Sequence, residues 1–316
     1  MRKRVLLTHP LFEEIHKKLS SHFELEIGIE GREDLLRKIQ DKDGLLCFLK
    51  DPVDREVIER GKNLKVIANY AVGYDNIDLR AAKERGIIVT NTPDLLTDAT
   101  ADLTWALILA VSRRIVPAHL FTVEGKFKGW EARLFLGKDL QGKRLGIVGM
   151  GRIGKAVARR ARGFSMEVVY YSRRRLKPRE EAELCVRYLP LDELLESSDV
   201  VSIHVPLTEE TENLINRERI LKMKRGSILI NTARGPVIDE EALIERLREG
   251  SLFGAGLDVY RGEPNINPEF FKLENVVLLP HIGSATEETR LAMAHLAADN
   301  IIAVLNGRPP LTPVWR

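Results

Sequence analysis

Short apolar runs alternate with segments of helical periodicity over the first part of the chain. The apolar runs predict strands buried on both faces of a sheet, at residues 4–8, 23–27, 44–49, 65–70 and 87–90. Apolar residues at helical spacing predict helices between those strands, at residues 11–19, 32–39, 54–60 and 77–85. This alternation is typical of an α/β unit with a doubly wound parallel sheet.

A long apolar helix is predicted at residues 99–112, after a break at 91–94. Thr97 and Asp98 are candidate capping residues, and we expect the helix to end before Pro117. Because it is apolar nearly all round, we expect it to pack between two subunits as well as within one, although a core helix of a single domain fits the pattern equally well.

A second alternation follows this helix. Apolar runs predict strands at residues 145–148, 167–171, 200–205, 227–231, 254–259 and 276–279, and the last helical segment is Glu287–Leu305. We therefore expect two doubly wound α/β domains. Residues 1–96 and 287–316 would form the first, and residues 97–286 would form a complete nucleotide-binding sheet together with the long helix.

Composition narrows the classes of function. The chain has 49 basic and 46 acidic side chains, and this balance argues against a nucleic-acid partner. The longest apolar stretch, 103–111, is about half of the ~20 residues that a membrane span needs. The N-terminus has no pattern of an export signal, and Cys47 and Cys185 lie in apolar runs, so we expect buried reduced thiols and a cytoplasmic protein. The histidines show no metal-ligand spacing, so we expect no metal.

The strongest motif for chemistry is a glycine loop. Gly149, Gly151 and Gly154 form G-x-G-x-x-G directly after a predicted strand and at the start of a predicted helix. In such a loop the first glycine permits a tight turn, the second lets amides approach a pyrophosphate, and the third lets the helix pack close to the strand. The motif predicts a dinucleotide site, and a packing turn is the alternative.

The end of the next predicted strand bears on which dinucleotide binds. An acidic side chain is expected there for NAD, but the chain has Ser172, Arg173 and Arg174. Guanidinium groups can bind a ribose 2′-phosphate through paired hydrogen bonds, so these residues favour NADP(H), with NAD(H) possible. The alternative is a solvated basic turn.

Ordered motifs along essentially the whole chain resemble the D-isomer-specific 2-hydroxyacid dehydrogenases, and the glyoxylate and hydroxypyruvate reductase branch is the most similar. The segments that carry the resemblance are ANYAVGYDNID at 68–78, TDATAD at 97–102, the glycine loop, HVPLT at 204–208, NTARG at 231–235, GLDV at 256–259, EP at 263–264 and PHIGSAT at 280–286. The resemblance implies a Rossmann-type cofactor domain, a flavodoxin-like substrate domain and a homodimer.

The resemblance also implies a catalytic trio of Arg234, Glu263 and His281. A guanidinium can hold the carboxylate and carbonyl of an α-keto acid and stabilise the charge that develops on the carbonyl oxygen. A histidine can donate the proton that completes the alcohol, and a carboxylate partner favours its protonated form. Without the resemblance, each residue has an ordinary structural explanation: a surface cation, a loop carboxylate and a strand-end histidine.

Further contacts follow from the same resemblance. The residues implied for the cofactor, besides the three glycines, are Thr100, Met150, Arg152, Ile153, Ser172, Arg173, Arg174, His204, Val205, Pro206, Thr211, Thr232, Ala233, Asp258 and Gly283. Asp258 would anchor the nicotinamide amide. The residues implied for substrate are Leu49, Lys50, Val72 and Gly73, in a cleft between the domains, with Trp130 as a further candidate from the partner subunit or as an apolar anchor of the dimer.

These features predict the reduction of a small 2-keto acid, glyoxylate or hydroxypyruvate, by NAD(P)H. D-3-phosphoglycerate dehydrogenation is an alternative that needs additional cationic groups, and Lys50 is the one candidate near Val72 and Gly73. D-lactate dehydrogenation is less favoured, because the sequence around the glycine loop does not resemble that branch. A cofactor-sensing binding protein shares the fold, but such proteins usually carry disordered tails, which we do not expect here.

Overall fold

The structure is a computed structural model that describes residues 2–315. The chain divides into two compact units, one made of residues 2–96 and 284–315 and the other of Thr97–Gly283. Each unit is built on its own parallel sheet with helices packed against it.

The sheet of the first unit has five parallel strands: β1 (Arg4–Leu7), β2 (Glu24–Ile27), β3 (Gly44–Cys47), β4 (Val66–Asn69) and β5 (Ile88–Thr90). Their order across the sheet is β2-β1-β3-β4-β5, which confirms the predicted flavodoxin-like topology. Burial on both faces was wrongly predicted for β2. This strand is at the sheet edge, none of its residues is fully buried, and Ile27 is exposed.

The helices of the first unit lie near their predicted positions: α1 (Glu13–His22), α2 (Arg32–Lys38), α3 (Arg55–Arg60) and α4 (Leu79–Glu84). Aspartates set the start of two of them. Asp54 accepts a hydrogen bond from the amide of Val57 in α3, and Asp78 accepts one from Ala81 in α4. These side chains satisfy amides that have no partner within the first turn of a helix.

The second unit begins with α5 (Thr97–Ser112) and α6 (Ile115–Val123) and continues as an α/β alternation. Its other elements are β6 (Arg144–Val148), α7 (Arg152–Ala161), β7 (Glu167–Tyr171), α8 (Pro178–Leu184), β8 (Val186–Tyr188), α9 (Leu191–Ser197), β9 (Val200–Ile203), α10 (Arg217–Lys222), β10 (Ile228–Asn231), α11 (Glu240–Arg248), β11 (Gly254–Leu257) and β12 (Val276–Leu278). The strand order β12-β11-β10-β9-β6-β7-β8 is that of a Rossmann sheet with one additional strand at its end. The predicted α/β fold class is therefore confirmed.

Two local predictions in this unit were wrong, the capping of α5 and the burial of Cys185. Thr97 and Asp98 lie inside α5 and do not cap it. Helix α5 ends at Ser112, before Pro117, as predicted. Pro117 lies in the first turn of α6, a further helix that was not predicted, and it is tolerated there because that position needs no hydrogen-bonded amide. Cys185 is exposed, because it ends α8 in a left-handed conformation ahead of the short strand β8, which was also not predicted. Cys47 is buried, as predicted.

Helix α5 is held against the helix that follows the glycine loop. Trp105 donates a hydrogen bond from Nε1 to the carbonyl of Val157 in α7 at 3.1 Å, and its ring stacks on Phe164 with centroids 4.3 Å apart. The apolar packing around Trp105 therefore fixes the position of α7, whose first turn belongs to the glycine loop.

The last helix, α12 (Glu287–Leu305), has the bounds that the sequence predicted. It belongs to the first unit, where Ala294, Ala298 and Ile301 are buried in the core under β3 and β4.

No single helix within residues 2–315 is long and apolar enough to cross a membrane. Helices α5 and α6 together have the required length and composition, but their axes are bent by 65°.

Candidate active site

The glycine loop has the geometry that a bound pyrophosphate requires. Gly149 follows β6 with φ of 102°, and a Cβ there would lie 2.6 Å from the carbonyl carbon of His204. A Cβ on Gly154 would lie 2.2 Å from the carbonyl oxygen of Gly149. Gly151, at the start of α7, has open space around it and provides no capping side chain, so the first amides of α7 are accessible to an anion. These residues fit a dinucleotide.

The order of the strands in the second sheet reverses between β6 and β9. Ligands of doubly wound folds bind beside such a reversal. Ile153 is partly buried and Arg152 is exposed in the first turn of α7. Met150 is only 4% exposed and its side chain packs in the core, so its backbone is the part of the residue that can contact a cofactor.

His204 follows β9 and faces the glycine loop. Its Nε2 lies 2.8 Å from Oγ of Ser202, and its Nδ1 is buried without a hydrogen-bond partner. Burial lowers the pKa of His204 to about 3. The ring is therefore neutral at physiological pH.

The segment after His204 forms a closed turn. Thr211 donates a hydrogen bond from Oγ1 to the carbonyl of Pro206 at 2.6 Å, and Val205 packs against the core of the unit. The hydroxyl of Thr211 thus shapes the turn, and its predicted contact with a cofactor stays a prediction.

The residues predicted to select NADP follow β7. Ser172 is partly buried, and Arg173 and Arg174 are exposed. Arg173 forms an ion pair of 2.8 Å with Glu210, which lies in the loop after β9. The predicted phosphate-binding arginine is thus already paired with a carboxylate of its own chain.

Glu263 and His281 form a hydrogen-bonded pair. Nδ1 of His281 lies 2.7 Å from Oε2 of Glu263, whose Oε1 accepts a hydrogen bond from the amide of Tyr260 at 2.8 Å. The side chains are 31% and 32% exposed, so the second ring nitrogen of His281 remains available to a ligand. Burial acts to raise the pKa of Glu263, but the hydrogen bond and charge of His281, with smaller contributions from Tyr260 and Arg234, hold it below its ordinary value.

Asp258 fixes the loop that carries His281. Its two carboxylate oxygens accept hydrogen bonds from the amides of Ile282 and Gly283, each at 2.7 Å. His281 has φ of 53°, a left-handed conformation that the neighbouring hydrogen bonds maintain. Burial is the main cause of a raised pKa at Asp258. The structure thus gives Asp258 a positioning role that the sequence did not indicate, and its predicted contact with nicotinamide stays a prediction.

Arg234 is the third member of the predicted trio and lies in the turn after β10. Buried Asn231 donates a hydrogen bond from Nδ2 to the carbonyl of Arg234 at 2.9 Å. A Cβ on Gly235 would lie 1.9 Å from the carbonyl carbon of Tyr260, so the Arg234 turn packs directly on the turn that carries Glu263. The structure therefore brings together all three residues of the trio within the second unit.

A second carboxylate supports the Glu263 turn. Glu240 is buried at the start of α11 and accepts a hydrogen bond from the amide of Arg261 at 2.5 Å, and burial raises its pKa. Sequence reasoning assigned no role to Glu240 or Asn231. Glu240 follows the helix-capping Asp239 and has the pattern of an ordinary helix start, so the sequence carries no signal for its longer-range contact.

Three other predicted cofactor residues lie near the His281 loop or the Arg234 turn. Thr100 donates a hydrogen bond to the carbonyl of Gly283 at 3.1 Å, and Thr232 Oγ1 lies 3.0 Å from Thr104 Oγ1. The amide of Ala233 donates to Asn231 at 3.0 Å. Each of these contacts links α5 or β10 to a loop of the predicted site.

The predicted substrate residues lie in the first unit, on loops that follow adjacent strands. Leu49 and Lys50 follow β3, and Val72 and Gly73 follow β4. Asn69 donates a hydrogen bond to the carbonyl of Gly73 at 2.7 Å. The structure therefore brings these four residues to one end of the first sheet, while the trio lies in the second unit.

Trp130 lies in the segment between α6 and β6. It is 85% exposed, and a second aromatic side chain in that segment, Phe127, is 56% exposed.

Within residues 2–315, no group of three or more histidine, cysteine, aspartate or glutamate side chains is arranged to hold a metal ion.

Comparison with known proteins decides the family. The NAD-binding domain of the D-isomer specific 2-hydroxyacid dehydrogenases matches residues 105–283. The chain belongs to this family. Its predicted resemblance is therefore confirmed, and the protein is an NAD(P)-dependent oxidoreductase of the 2-hydroxyacid dehydrogenase class.

Relatives of this dehydrogenase cover nearly its full length. It is 52% identical to a protein named glyoxylate reductase from Thermococcus kodakarensis, across 99% of this chain and 96% of the relative. Its structure is similar to that of TT0316 protein from Thermus thermophilus, with a TM-score of 0.92 and 51% identity over 98% of this chain and 99% of that chain. An NADPH-dependent glyoxylate/hydroxypyruvate reductase from Sinorhizobium meliloti, solved with NADP and malonate, gives a TM-score of 0.91 and 33% identity over 100% and 97% of the two chains.

Proposed function

We propose that this dehydrogenase reduces glyoxylate or hydroxypyruvate to glycolate or D-glycerate, with NADPH as its preferred cofactor. The observation that carries the proposal is the His281–Glu263 pair, whose nitrogen and oxygen are 2.7 Å apart, together with the packing of the Glu263 turn against the turn of Arg234. Two relatives that are named glyoxylate reductase, with 52% and 50% sequence identity to this chain, support the choice of substrate.

In the proposed reaction, Arg234 binds the carboxylate and carbonyl oxygen of the keto acid. Its guanidinium can donate paired hydrogen bonds to both groups and stabilises the negative charge that develops on the carbonyl oxygen. The close packing at Gly235 places the backbone of Arg234 beside the Glu263 turn. Substrate binding and stabilisation of the transition state therefore depend on the same side chain.

His281 supplies the proton. With Nδ1 held by Glu263, its Nε2 carries the proton that passes to the carbonyl oxygen, and the negative carboxylate stabilises the imidazolium before transfer. When bound, the reduced nicotinamide supplies a hydride to the carbonyl carbon. The balance is one hydride and one proton for each alcohol formed. The amides of α7 and the loop of Gly149 would hold the cofactor's pyrophosphate.

The preference for NADPH rests on Ser172, Arg173 and Arg174. The end of β7 offers no carboxylate to accept bonds from the ribose hydroxyls, and two exposed guanidinium groups follow it. The relative from Sinorhizobium meliloti is named NADPH-dependent, which supports the same preference here.

A small uncharged substrate tail is favoured by the loops of the first unit. We propose that the amides of Val72 and Gly73 bind the substrate carboxylate and that Leu49 and Lys50 lie beside it, because a glycine-containing loop lets amides converge on an anion. Lys50 is the one cation among these four residues, whereas a phosphorylated substrate would require more.

We also propose that the protein forms a homodimer through α5 and α6. Helix α6 has no buried residue, and Ile115, Leu120 and Val123 are 49–64% exposed. Contiguous apolar surface of this kind is typical of a subunit interface. Trp130, in the following segment, would be buried by the partner.

A cytoplasmic location stays a proposal. Cys47 and Cys185 are free thiols, and exposed Cys185 would favour a reducing compartment.

The substrate and cofactor are tested by initial rates of absorbance change at 340 nm. Glyoxylate, hydroxypyruvate, pyruvate and phosphohydroxypyruvate are each compared with NADPH and with NADH. The proposal predicts the highest kcat/KM for glyoxylate or hydroxypyruvate with NADPH. A preference for the phosphorylated acid would indicate a phosphoglycerate dehydrogenase, a preference for NADH would contradict the cofactor choice, and no turnover of any acid would favour a cofactor-sensing protein.

A further inference from the structure

A histidine and an aspartate meet at the point where the sheet of the first unit reverses its strand order. The reversal lies between β1 and β3, because the order is β2-β1-β3-β4-β5. Thr8 and His9 directly follow β1, and Asp51 belongs to the loop after β3. Doubly wound sheets bind ligands beside such a point, so chemistry concentrated there bears on function.

Asp51 is a buried carboxylate with three hydrogen-bond donors. It is 3% exposed; its Oδ2 accepts from the Thr8 hydroxyl at 2.5 Å and from the amide of Phe48 at 2.8 Å. Its Oδ1 lies 2.6 Å from Nε2 of His9, whose ring also meets the ring of Phe48 edge to face with centroids 5.2 Å apart. The network closes the loop from Phe48 to Asp51 around the carboxylate.

The same loop is joined to its neighbour by Asn76. Nδ2 of this side chain lies 3.0 Å from the carbonyl oxygen of Phe48 and 3.1 Å from that of Asp51. Its Oδ1 accepts from Asn69, which also holds the carbonyl of Gly73. The loops that carry Leu49, Lys50, Val72 and Gly73 are thus one hydrogen-bonded assembly.

We propose that Asp51 and His9 are positioning residues of the substrate-binding loops. Neither residue takes part in hydride or proton transfer; they determine where the backbone of residues 48–51 and, through Asn76, of residues 70–76 is held when the keto acid binds. The inference deepens the proposed function and rests on it for the identity of the ligand.

The buried position of Asp51 makes the loop depend on its hydrogen-bond partners. His9 contributes the contact to Oδ1, and removing its ring leaves a buried carboxylate oxygen with one partner fewer. The neighbouring titratable group on β3 is Cys47. Burial raises the pKa of its thiol, with the charge of Asp51 as a second cause, so the thiol offers no compensating charge.

The test compares His9→Ala, His9→Gln and Asp51→Asn with the wild type. Glutamine can donate to Asp51 from a similar position without a titratable charge, so it separates the hydrogen bond from the ion pair. The control is His295→Ala, which removes another partly exposed histidine of the same unit, one that lies 3.5 Å from Glu14. Each variant is assayed for kcat, for KM with glyoxylate, for Kd of NADPH, and for hydrogen exchange of peptides covering residues 48–51 and 70–76.

We expect KM for glyoxylate to rise about tenfold in His9→Ala and Asp51→Asn, with kcat within about twofold of the wild type and with unchanged NADPH affinity. Exchange in both loops should become faster, His9→Gln should recover most of the lost affinity, and His295→Ala should match the wild type. Unchanged KM and unchanged exchange, or an equal loss of kcat and NADPH affinity, would overturn the positioning role.

Failure of the proposed function has a different signature. A wild type that turns over none of the keto acids would remove the substrate assignment, while faster exchange of the two loops in His9→Ala would still support the positioning role. If Asp51→Asn does not fold, the two His9 variants decide the result, since His9 is only partly buried.

Discussion

Arg173 donates a hydrogen bond from Nη1 to Oε2 of Glu210 at 2.8 Å, which joins the loop after β7 to the loop after β9. These loops lie on either side of the glycine loop, because β6 is between β7 and β9 in the sheet. A ribose 2′-phosphate would compete with Glu210 for the same guanidinium. Glu210→Gln should therefore lower KM for NADPH by about two- to fivefold and leave KM for NADH unchanged, a small effect since both side chains are exposed.

The control for this prediction is Glu183→Gln, which removes the partner of Arg179 in a similarly exposed pair on α8. Initial rates at fixed glyoxylate and varied NADPH or NADH give the four KM values. An equal change with both cofactors would show that Glu210 does not act on the 2′-phosphate.

Gly235→Ala should disrupt the packing of the Arg234 turn on the Glu263 turn. The added Cβ would lie 1.9 Å from the carbonyl carbon of Tyr260 and 2.2 Å from its oxygen, both of which are backbone atoms that cannot rotate away. We expect a loss of about 3 kcal/mol in the free energy of unfolding and a fall of kcat of at least about tenfold.

Gly163→Ala is the matched control for this substitution, because a Cβ at Gly163 meets no atom within 4 Å. Urea denaturation and steady-state kinetics of the two variants make the comparison. If Gly235→Ala keeps the stability and activity of the control, the turns are not held in the close contact described here.

His204 should make the protein less stable in mild acid. Its pKa is lowered from an ordinary 6.5 to about 3 in the folded chain, so between these values the unfolded chain binds one more proton. The free energy of unfolding should therefore fall with decreasing pH in that interval, by up to about 1.4 kcal/mol per pH unit from this residue. His204→Gln, which carries no titratable ring, should show a shallower fall in urea denaturation from about pH 7 to about pH 4. Identical slopes in the two proteins would mean that the ring is not buried in its neutral form.

Leu120→Asp should dissociate the proposed dimer. Leu120 is 49% exposed on α6, and a carboxylate at that position would be buried without a partner in an apolar interface. Light scattering coupled to size exclusion should give the mass of a monomer, whereas Leu221→Asp, at a 55% exposed leucine on α10, should keep the mass of the wild type. A wild type that is already monomeric would reject the interface.

Much of the fold could be predicted because buried parallel strands leave continuous apolar runs. The strand β7 at Glu167–Tyr171 and the helix Glu287–Leu305 have the bounds that the pattern predicted. Helix α6 could not be predicted in this way, since Pro117 resembles a terminator unless the start of a new helix two residues earlier is known. The three-residue strand β8 is too short to produce a periodic signal.

In the candidate site, too, features with a local sequence motif could be predicted, and contacts that depend on the strand order could not. Its glycine loop has a local signature, and the Glu263–His281 pair followed from motifs that resemble a family. The contact between His9 and Asp51 joins residues from the ends of two strands, and the strand order that brings them together is a property of the whole sheet. The sequence therefore carries no local signal for this contact.

Arg234 carries the largest part of the proposed chemistry, because it both binds the keto acid and stabilises the transition state beside Glu263 and His281. Its role is tested by kcat/KM for glyoxylate with saturating NADPH in Arg234→Gln and Arg234→Lys, with the Kd of NADPH measured in parallel. We predict a loss of kcat/KM of at least about a hundredfold in both variants with unchanged NADPH binding, because a lysine cannot reproduce the paired hydrogen bonds of a guanidinium. A kcat/KM within about threefold of the wild type in either variant would contradict this role.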